Sequence, residues 1–398
     1  MIKSGLDALE RRQMAGLNVG LITNQTGINR QFKRTAVVLE EAGATVAALF
    51  GPEHGYYGVE QDAIPVSGVA QDRWSGVPVY SLYRSVDLSS QDDAQEVNPF
   101  GPPFGSLDGL DALVFDIQDV GCRYYTYPTT LGILMEQVAL PIYVVDRPNP
   151  IGGELVEGPY VEPEYSSFVG RYSGIPVRHG LTQGELALFI NRHLLGGKAR
   201  LEVLKMEGWQ RGMTWQETGL PWLATSPNLP TLTTARLYPG TCLVEGTNLS
   251  AGRGTTQPFE LVGAPWLDRP DRLAAELNRL NCPGLYFRDT FFKPIYEPYA
   301  GQVCGGVQIH ISPDYRGNPN GPENIVRSGL LLIATIARLY AENFNWLPAH
   351  FDRLIGSAIP RRIITGERDH NDSLTNLFQT WASQEQQFLK VRQTVLCY

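Results

Sequence analysis

Short, almost wholly apolar segments alternate with helical segments up to about residue 150. A strand that is apolar at every position is typical of a parallel sheet, because helices cover both faces of such a sheet. A sheet with one face in water would instead show a polar residue at every second position. The alternation of such strands with helices therefore predicts an α/β fold. The predicted strands are 17–24, 45–50, 77–82, 112–117 and 142–145, and the predicted helices are 31–42 and 129–139.

The chain has 398 residues, which is too long for one ordinary hydrophobic core. We therefore expect two domains, and the segment 151–163, rich in glycine, proline and acidic residues, is the predicted crossing between them. The predicted domains are 1–158 and 159–398. The stretch 220–266 has many turn-forming residues and little helical periodicity, so we expect ordered loops there.

Regular elements are also predicted for the rest of the second domain. Thr182 and Glu185 form the capping-box pattern that typically begins a helix. The predicted helices of this domain are 181–195, 273–280, 324–340 and 374–389, and its predicted strands are 200–205, 285–292 and 306–312.

Charge and composition argue against several classes of partner. The net charge is -8, and lysines and arginines are scattered, which disfavours nucleic acid and anionic membranes. No apolar stretch reaches the length of a membrane span, and the N-terminal residues are too charged for a secretory signal. The five cysteines form no CxxC pair, which suits a reducing compartment. We therefore expect a cytoplasmic enzyme without membrane insertion, or a periplasmic or secreted one if a signal peptide was removed.

The sequence gives no support for a nucleotide cofactor. The turn after the first strand, 23–29, contains one glycine, and neither GxGxxG nor GxxxxGK[ST] occurs in the chain. Those glycines are what allow the backbone to approach a phosphate group closely. We therefore predict no cofactor, and a nucleotide-dependent oxidoreductase is disfavoured.

Polar residues follow each predicted strand of the first domain. Asn24 ends the first strand, Glu53 and His54 follow the second, Asp116 ends the fourth and Asp146 follows the fifth. The carboxyl ends of parallel strands meet at one edge of a sheet, where open α/β sheets bind their ligands. The pattern therefore predicts a functional cleft at this edge.

Five stretches carry most of the residues that could do chemistry. They are 51–55 (GPEHG), 116–127 (DIQDVGCRYYTY), 146–152 (DRPNPIG), 226–230 (SPNLP) and 238–258 (YPGTCLVEGTNLSAGRGTTQP). In this order they resemble the signature of the exo-lytic β-N-acetylmuramidases of peptidoglycan turnover, the NamZ-type glycoside hydrolases. The resemblance implies release of N-acetylmuramic acid from the non-reducing ends of peptidoglycan fragments. It also implies a Rossmann-like domain, a smaller α+β domain and an active-site cleft between them.

Glycoside hydrolysis usually needs two carboxyl groups on either side of the scissile bond. Glu53 is the best candidate for the general acid, with His54 as its tuner or as a sugar contact. Three residues remain open for the second carboxyl group: Glu136, Glu245 and Asp116. The helical pattern alone favours a Glu136 that faces solvent, whereas the family resemblance favours Glu136 as the catalytic residue. Glu245 is expected to bind the ligand or to organise its own loop. Whether the mechanism retains or inverts depends on the carboxyl separation, which the sequence leaves open.

The implied substrate suggests further contacts. A muramic acid carries a lactyl carboxylate, for which the fork of an arginine is the natural partner. Arg123, Arg147 and Arg253 lie within the five stretches, and each has the alternative of pairing with a nearby acid for structure. The remaining histidines, His350 among them, are expected at the surface or in the core. The other expected sugar contacts are Asn24, Asp116, Gln118, Tyr124, Tyr127, Asp146, Asn149, Asn228, Glu245 and Asn248.

Two other functions remain as alternatives. Glu53, His54, Asp116 and Asp146 could instead bind a divalent cation in a metal-dependent hydrolase, although no HxH or HExxH spacing occurs. The protein could also bind amino sugars without cleaving them. The leading interpretation is a hydrolase without metal or cofactor, whose partners are muramic-acid saccharides derived from peptidoglycan.

Overall fold

Six parallel strands form the larger sheet, in the order β3-β2-β1-β4-β5-β6. The computed structural model describes residues 1–10, 13–66, 71–85, 99–311, 324–367 and 373–398. The strand order is that of a Rossmann-like sheet, so the predicted fold class is confirmed. The strands are β1 (Asn18–Thr23), β2 (Thr45–Gly51), β3 (Val79–Ser81), β4 (Ala112–Asp116), β5 (Ile142–Val145) and β6 (Leu201–Leu204).

Three helices follow strands of this sheet: α1 (Thr35–Glu41), α2 (Tyr127–Gln137) and α3 (Gln183–Phe189). The capping box at α3 is confirmed, because Thr182 and Glu185 each accept the other's backbone N–H. A π-helical turn, Ile190–Leu194, continues α3. The predicted start of α1 at residue 31 was wrong. Asn29 accepts the N–H groups of residues 31 and 33 through its side chain, and this local turn competes with helix formation.

A three-stranded antiparallel sheet, in the order β7-β9-β8, forms the centre of the second domain. Its strands are β7 (Leu261–Ala264), β8 (Leu285–Phe292) and β9 (Cys304–Ile311). Residue 312, the predicted end of β9, lies outside the described residues. The helices of this half of the chain are α4 (Trp215–Thr218), α5 (Leu232–Thr241), α6 (Pro270–Arg279), α7 (Ile325–Leu339), α8 (Pro348–Ile355), α9 (Ile359–Ile364) and α10 (Leu374–Arg392).

The stretch 220–266, expected as loops, contains α5, a 3₁₀ turn and β7. Pro239 and Gly240 hide the helical signal of α5, since both residues normally disfavour helix interiors. Gly240 is there for packing: a Cβ atom would lie 2.1 Å from the Ile325 carbonyl oxygen. A Cβ on Gly329 of α7 would likewise lie 2.2 Å from the Gly240 oxygen. Two glycines therefore allow α5 and α7 to approach closely.

The larger sheet extends beyond residue 158, the predicted end of the first domain, since β6 pairs with β5. The boundary itself stays a prediction. In the part of the chain that the structure describes, no helix is both long enough and apolar enough to cross a membrane.

Candidate active site

A cavity of about 300 Å³ lies where loops of the parallel-sheet domain meet the second domain. The first domain contributes the segments after β2 and β3 and the segment before α2, and the second contributes α8 and segments near α5. A cavity of this size suits a small ligand such as one amino sugar. Its polar and charged lining residues are Glu53, His54, Asp62, Tyr83, Tyr124, Tyr125, Thr126, Ser167, Ser226, Asn228, Tyr238, Glu245, Arg253, His350 and Arg353.

A tight turn after β2 places Glu53 in this cavity. Gly51 is required there because a Cβ atom would lie 2.5 Å from the backbone nitrogen of Tyr56. The Gly55 N–H donates to the Pro52 carbonyl at 2.9 Å, and Gly55 has a φ of +80°, a conformation that favours glycine. The two glycines of the GPEHG stretch therefore fix the backbone that carries Glu53.

Glu53 is buried, and both of its carboxyl oxygens have hydrogen-bond donors. Oε1 accepts the Ala63 N–H at 3.0 Å, and Oε2 accepts the Thr126 hydroxyl at 2.6 Å. Burial, together with the nearby Glu53 carboxylate, raises the pKa of the Tyr83 hydroxyl. Among the residues that the structure describes, no cation forms an ion pair with Glu53. Glu53 therefore lies in the cavity without a fixed counter-charge in the described structure.

His54 adopts a φ of +68°, which is rare for a residue with a side chain and is typical of functional sites. Its Nδ1 lies 2.8 Å from the Glu60 carbonyl oxygen. Because a carbonyl only accepts hydrogen bonds, Nδ1 must carry the proton of the neutral ring. Nε2 is then an acceptor, which is suited to a sugar hydroxyl.

Glu245 brings a second carboxyl group to the cavity from the 3₁₀ turn Cys242–Gly246. Arg253 Nε lies 2.5 Å from Glu245 Oε1, and Arg253 Nη1 pairs with Asp62 of the first domain. Burial raises the pKa of Glu245, and the Arg253 guanidinium opposes that shift. Glu245 is therefore a partly buried carboxyl group that a fixed cation favours in its charged form.

Helix α8 adds His350 and Arg353, which the sequence analysis did not assign to the site. His350 was expected at the surface or in the core; it lines the cavity, and burial together with the Arg353 charge lowers its pKa. Arg353 Nε donates to the Ala349 carbonyl at 2.8 Å, and no carboxylate of the described chain pairs with its guanidinium. The sequence did contain a signal for this pair, since residues three apart in a helix, such as His350 and Arg353, lie on the same face.

The strand ends at the centre of the sheet do not form the cleft that was predicted there. Asp116, at the end of β4, is fully buried and accepts from Arg147 Nε at 2.5 Å and from Arg147 Nη2 at 2.8 Å. The Thr35 hydroxyl also donates to Asp116, and Arg147 Nη2 donates to the Ile28 carbonyl at 2.9 Å. Neither Asp116 nor Arg147 lines the cavity. The space beside Arg147 and Gln118 has a volume of only about 20 Å³, which is too small for a sugar.

Three further candidates from the strand ends are engaged with the backbone and do not line the cavity. Asp146 accepts the Gly184 N–H and the hydroxyls of Thr182 and Tyr398, each at 2.8 Å, and so holds the start of α3. Gln118 donates to the Pro148 carbonyl at 2.9 Å. Asn149 donates to the Leu181 carbonyl at 3.0 Å.

Four other predicted contacts also lie outside the cavity lining. Asn24 donates to the Tyr127 hydroxyl at 3.0 Å, and that hydroxyl donates to the Thr225 carbonyl at 2.7 Å. Asn248 donates to the Asn343 carbonyl at 2.9 Å. Arg123 is buried and donates to four backbone carbonyls, those of residues 159, 175, 354 and 355.

Glu136 does not lie with Glu53. It is on the outer part of α2, where Arg171 donates to both of its oxygens, at 2.6 and 3.0 Å. The Tyr172 hydroxyl donates to it as well, at 2.9 Å. The predicted site residues that line the cavity are Glu53, His54, Tyr124, Asn228, Glu245 and Arg253, whereas Glu136 lies outside it.

The residues named for the metal-dependent alternative are likewise dispersed. Asp116 pairs with Arg147, and Asp146 holds α3, whereas Glu53 and His54 lie in the cavity. Within the described ranges, no three His, Cys, Asp or Glu side chains are grouped as metal ligands would be.

A Rossmann-like domain, a smaller α+β domain, and a sugar-sized cavity with carboxyl groups from both define a two-domain α/β protein of glycosidase type. The chain belongs to the exo-β-N-acetylmuramidase NamZ family. The N-terminal and C-terminal models of this family match residues 19–233 and 236–398. The resemblance described for the five stretches is thereby confirmed.

Individual relatives agree with this assignment. The chain is 40% identical to the peptidoglycan β-N-acetylmuramidase NamZ of Bacillus subtilis strain 168, covering 100% of this chain and 91% of that protein. Two crystal structures of DUF1343 family proteins from Bacteroides fragilis NCTC 9343 are similar, with TM-scores of 0.85 and 0.75. Their sequences are 34% and 28% identical to this one, and the matches cover 100% of this chain and 99% of each of theirs.

Proposed function

We propose that this protein is an exo-β-N-acetylmuramidase that hydrolyses the bond to a terminal N-acetylmuramic acid in peptidoglycan fragments. The observation that carries the proposal is that Glu53 and Glu245, from different domains, line one sugar-sized cavity. The Bacillus subtilis relative, at 40% identity over the whole chain, is named for this activity. Two carboxyl groups on either side of a bound sugar are what glycoside hydrolysis requires.

The surroundings of the two carboxyl groups suggest different roles. Glu53 has no cation partner among the described residues, whereas Glu245 is paired with Arg253, so we assign Glu53 the transfer of a proton to the leaving oxygen. Glu245 is paired with Arg253, whose charge opposes the rise of its pKa on burial, and we assign it the role of the carboxylate. It activates the attacking water or stabilises the positive charge that develops on the sugar ring. Glu245 replaces Glu136 as the second carboxyl group in this proposal.

Arg353 is the residue that we assign to the lactyl carboxylate of the substrate. The cavity already contains Glu53, Asp62 and Glu245, so an anionic sugar needs a cation to enter it. Arg253 is engaged by two of these acids, whereas the guanidinium of Arg353 has only a backbone carbonyl partner in the described structure. Its fork is therefore available for a carboxylate.

Hydrolysis of a chromogenic N-acetylmuramide by the purified protein tests the proposal. Glu53→Gln and Glu245→Gln should each lower kcat about 10²- to 10⁴-fold while the fold and ligand binding are retained, because the amide removes the proton chemistry and keeps the shape. Glu136→Gln is the matched control, since Glu136 is a glutamate outside the cavity, and its kcat should stay within about twofold of the wild type.

Three outcomes would contradict the proposal. Wild-type protein that binds the muramide but does not cleave it would indicate a non-catalytic sugar-binding protein. Unchanged turnover in Glu245→Gln with a large loss in Glu136→Gln would return the second role to Glu136. Loss of hydrolysis after treatment with a chelator would favour the metal-dependent alternative.

A further inference from the structure

A second concavity, of about 740 Å³, adjoins the cavity on the side of the antiparallel sheet. We call this concavity the outer groove; its lining includes Phe291, Ile295, Tyr296, Thr255 and Gln257. Phe291 lies near the end of β8, and the segment that follows carries Ile295 and Tyr296. Thr255 and Gln257 come from the family stretch 238–258, which also supplies Glu245 and Arg253 to the cavity.

Three exposed apolar side chains line the outer groove. Phe291 is 64% exposed, Ile295 85% and Tyr296 38%. Neighbouring apolar residues rimmed by polar groups typically mark a binding surface. Here the rim carries the hydroxyls and amides of Thr255 and Gln257. An aromatic surface beside hydroxyl and amide groups fits a sugar, which has apolar ring faces and polar edges.

The outer groove is continuous with the catalytic cavity. Asn228 lines both, and its side chain donates to Gln61 Oε1 at 2.7 Å. Arg253 lines the cavity while the next residue, Gly254, lines the groove. The Ile295 N–H donates to the Gly254 carbonyl at 3.0 Å, so a backbone hydrogen bond joins the wall of the groove to the cavity.

Glycine at position 254 is what permits this close approach. Gly254 has a φ of +74°, and a Cβ atom there would lie 2.5 Å from the Tyr296 backbone nitrogen. Gly254 therefore allows the Tyr296 backbone to pack directly against the segment that carries Arg253.

We propose that the outer groove binds the saccharide on the leaving-group side of the scissile bond, that is, the glycan that remains after the terminal muramic acid is released. This inference rests on the proposed function. A cavity of about 300 Å³ has room for little more than the terminal sugar, so the rest of the strand must lie outside it, and the outer groove adjoins the cavity at Asn228. The exposed Lys293 of the groove suits a glycan whose further muramic acids carry carboxylates.

The test compares two substrates: a chromogenic N-acetylmuramide with a small aglycone, and an oligosaccharide with a terminal N-acetylmuramic acid. The measured quantity is the ratio of their kcat/KM values, oligosaccharide over chromogenic muramide. Phe291→Ala and Tyr296→Ala should each lower this ratio about tenfold, because only the oligosaccharide reaches the groove. Tyr286→Ala is the matched control: Tyr286 is on the same strand, is 57% exposed and does not line the groove, and this variant should keep the wild-type ratio.

The outcomes separate this inference from the proposed function. Wild-type protein that cleaves neither substrate overturns the proposed function. Wild-type protein that cleaves both, with a ratio unchanged in Phe291→Ala and Tyr296→Ala, overturns the assignment of the groove alone. Sedimentation could also show that the wild type is a dimer and that these two variants are monomers. If their kcat/KM ratio is unchanged as well, the surface binds a second copy of the chain, and the assignment of the groove to the glycan is overturned. Two variants are used so that a folding defect in one leaves the test intact.

Discussion

The buried pair of Asp119 and His179 predicts how the stability of the protein depends on pH. Asp119 Oδ2 lies 3.9 Å from His179 Nε2, and both residues are buried. Burial raises the pKa of Asp119 to about 7, and the N–H groups of Gly121 and Val120 oppose the shift. Burial, followed by the charges of Arg392 and Arg123, lowers the pKa of His179 to about 3.

The proton count gives the sign of the effect. Between about pH 4 and pH 6.5 the folded pair binds one proton, on Asp119, and the unfolded pair also binds one, on His179. The two contributions therefore cancel in the wild type. In Asp119→Asn only His179 remains, and the unfolded state binds one more proton than the folded state. Its stability should then fall as the pH falls, by ~1.4 kcal/mol per pH unit relative to the wild type.

The reciprocal variant has the opposite sign. In His179→Gln only Asp119 remains, and its raised pKa means that the folded state binds the extra proton from about pH 4 to pH 7. Its stability should fall as the pH rises through that window. Urea unfolding at a series of pH values from about 4.5 to 6.5 measures both slopes, and each variant should change by about 3 kcal/mol over this range relative to the wild type. Slopes in both variants parallel to the wild type would refute the reasoning.

Two other variants test the site and the strand ends. Arg353→Met should raise the KM for N-acetylmuramides about 10- to 100-fold, since a hydrogen bond to a charged group contributes roughly 1.5–3 kcal/mol. Arg353→Lys should recover part of the lost affinity. Equal KM values for wild type and Arg353→Met in steady-state kinetics would show that Arg353 does not bind the substrate. Arg147→Met should lower the free energy of unfolding by about 3–5 kcal/mol, because Asp116 then lies buried without its cation, and Asp116→Asn in the same chain should restore part of it. A fall in kcat/KM well below the melting temperature of Arg147→Met would show that this pair serves the reaction rather than the fold.

Hydrophobic periodicity in the sequence predicts most of the fold. The strand 142–145 and the strand 285–292 have the predicted bounds, because each is a continuous strand between clear turn formers. Helix α5 was missed because its Gly240 serves packing against α7, a long-range contact that local propensity does not include. Local sequence patterns therefore predict a helix or a strand well where no long-range packing contact requires a residue that is unfavourable in that helix or strand.

The site was predictable only in part, for a related reason. Every polar residue at a strand end was a candidate for the functional site, because the sequence does not reveal which of these residues form ion pairs with each other. Asp116 and Arg147 form a buried pair, whereas Glu53 keeps a place in the cavity. Arg353 was missed because α8, the helix that carries it, lies about three hundred residues after Glu53 in the chain. No short sequence motif indicates that these two residues line the same cavity.

The two proposed catalytic carboxyl groups belong to different domains, so something must fix the distance between them. The loop after β2 carries both Glu53 and Asp62. Asp62 pairs with Arg253, and Arg253 pairs with Glu245, so one guanidinium connects the loop of the acid to the carboxylate of the other domain. The stereochemical outcome of glycoside hydrolysis depends on the separation of the two carboxyl groups. In the proposed mechanism Arg253 therefore holds Glu245 relative to Glu53, and its two ion pairs leave it less available to bind the substrate.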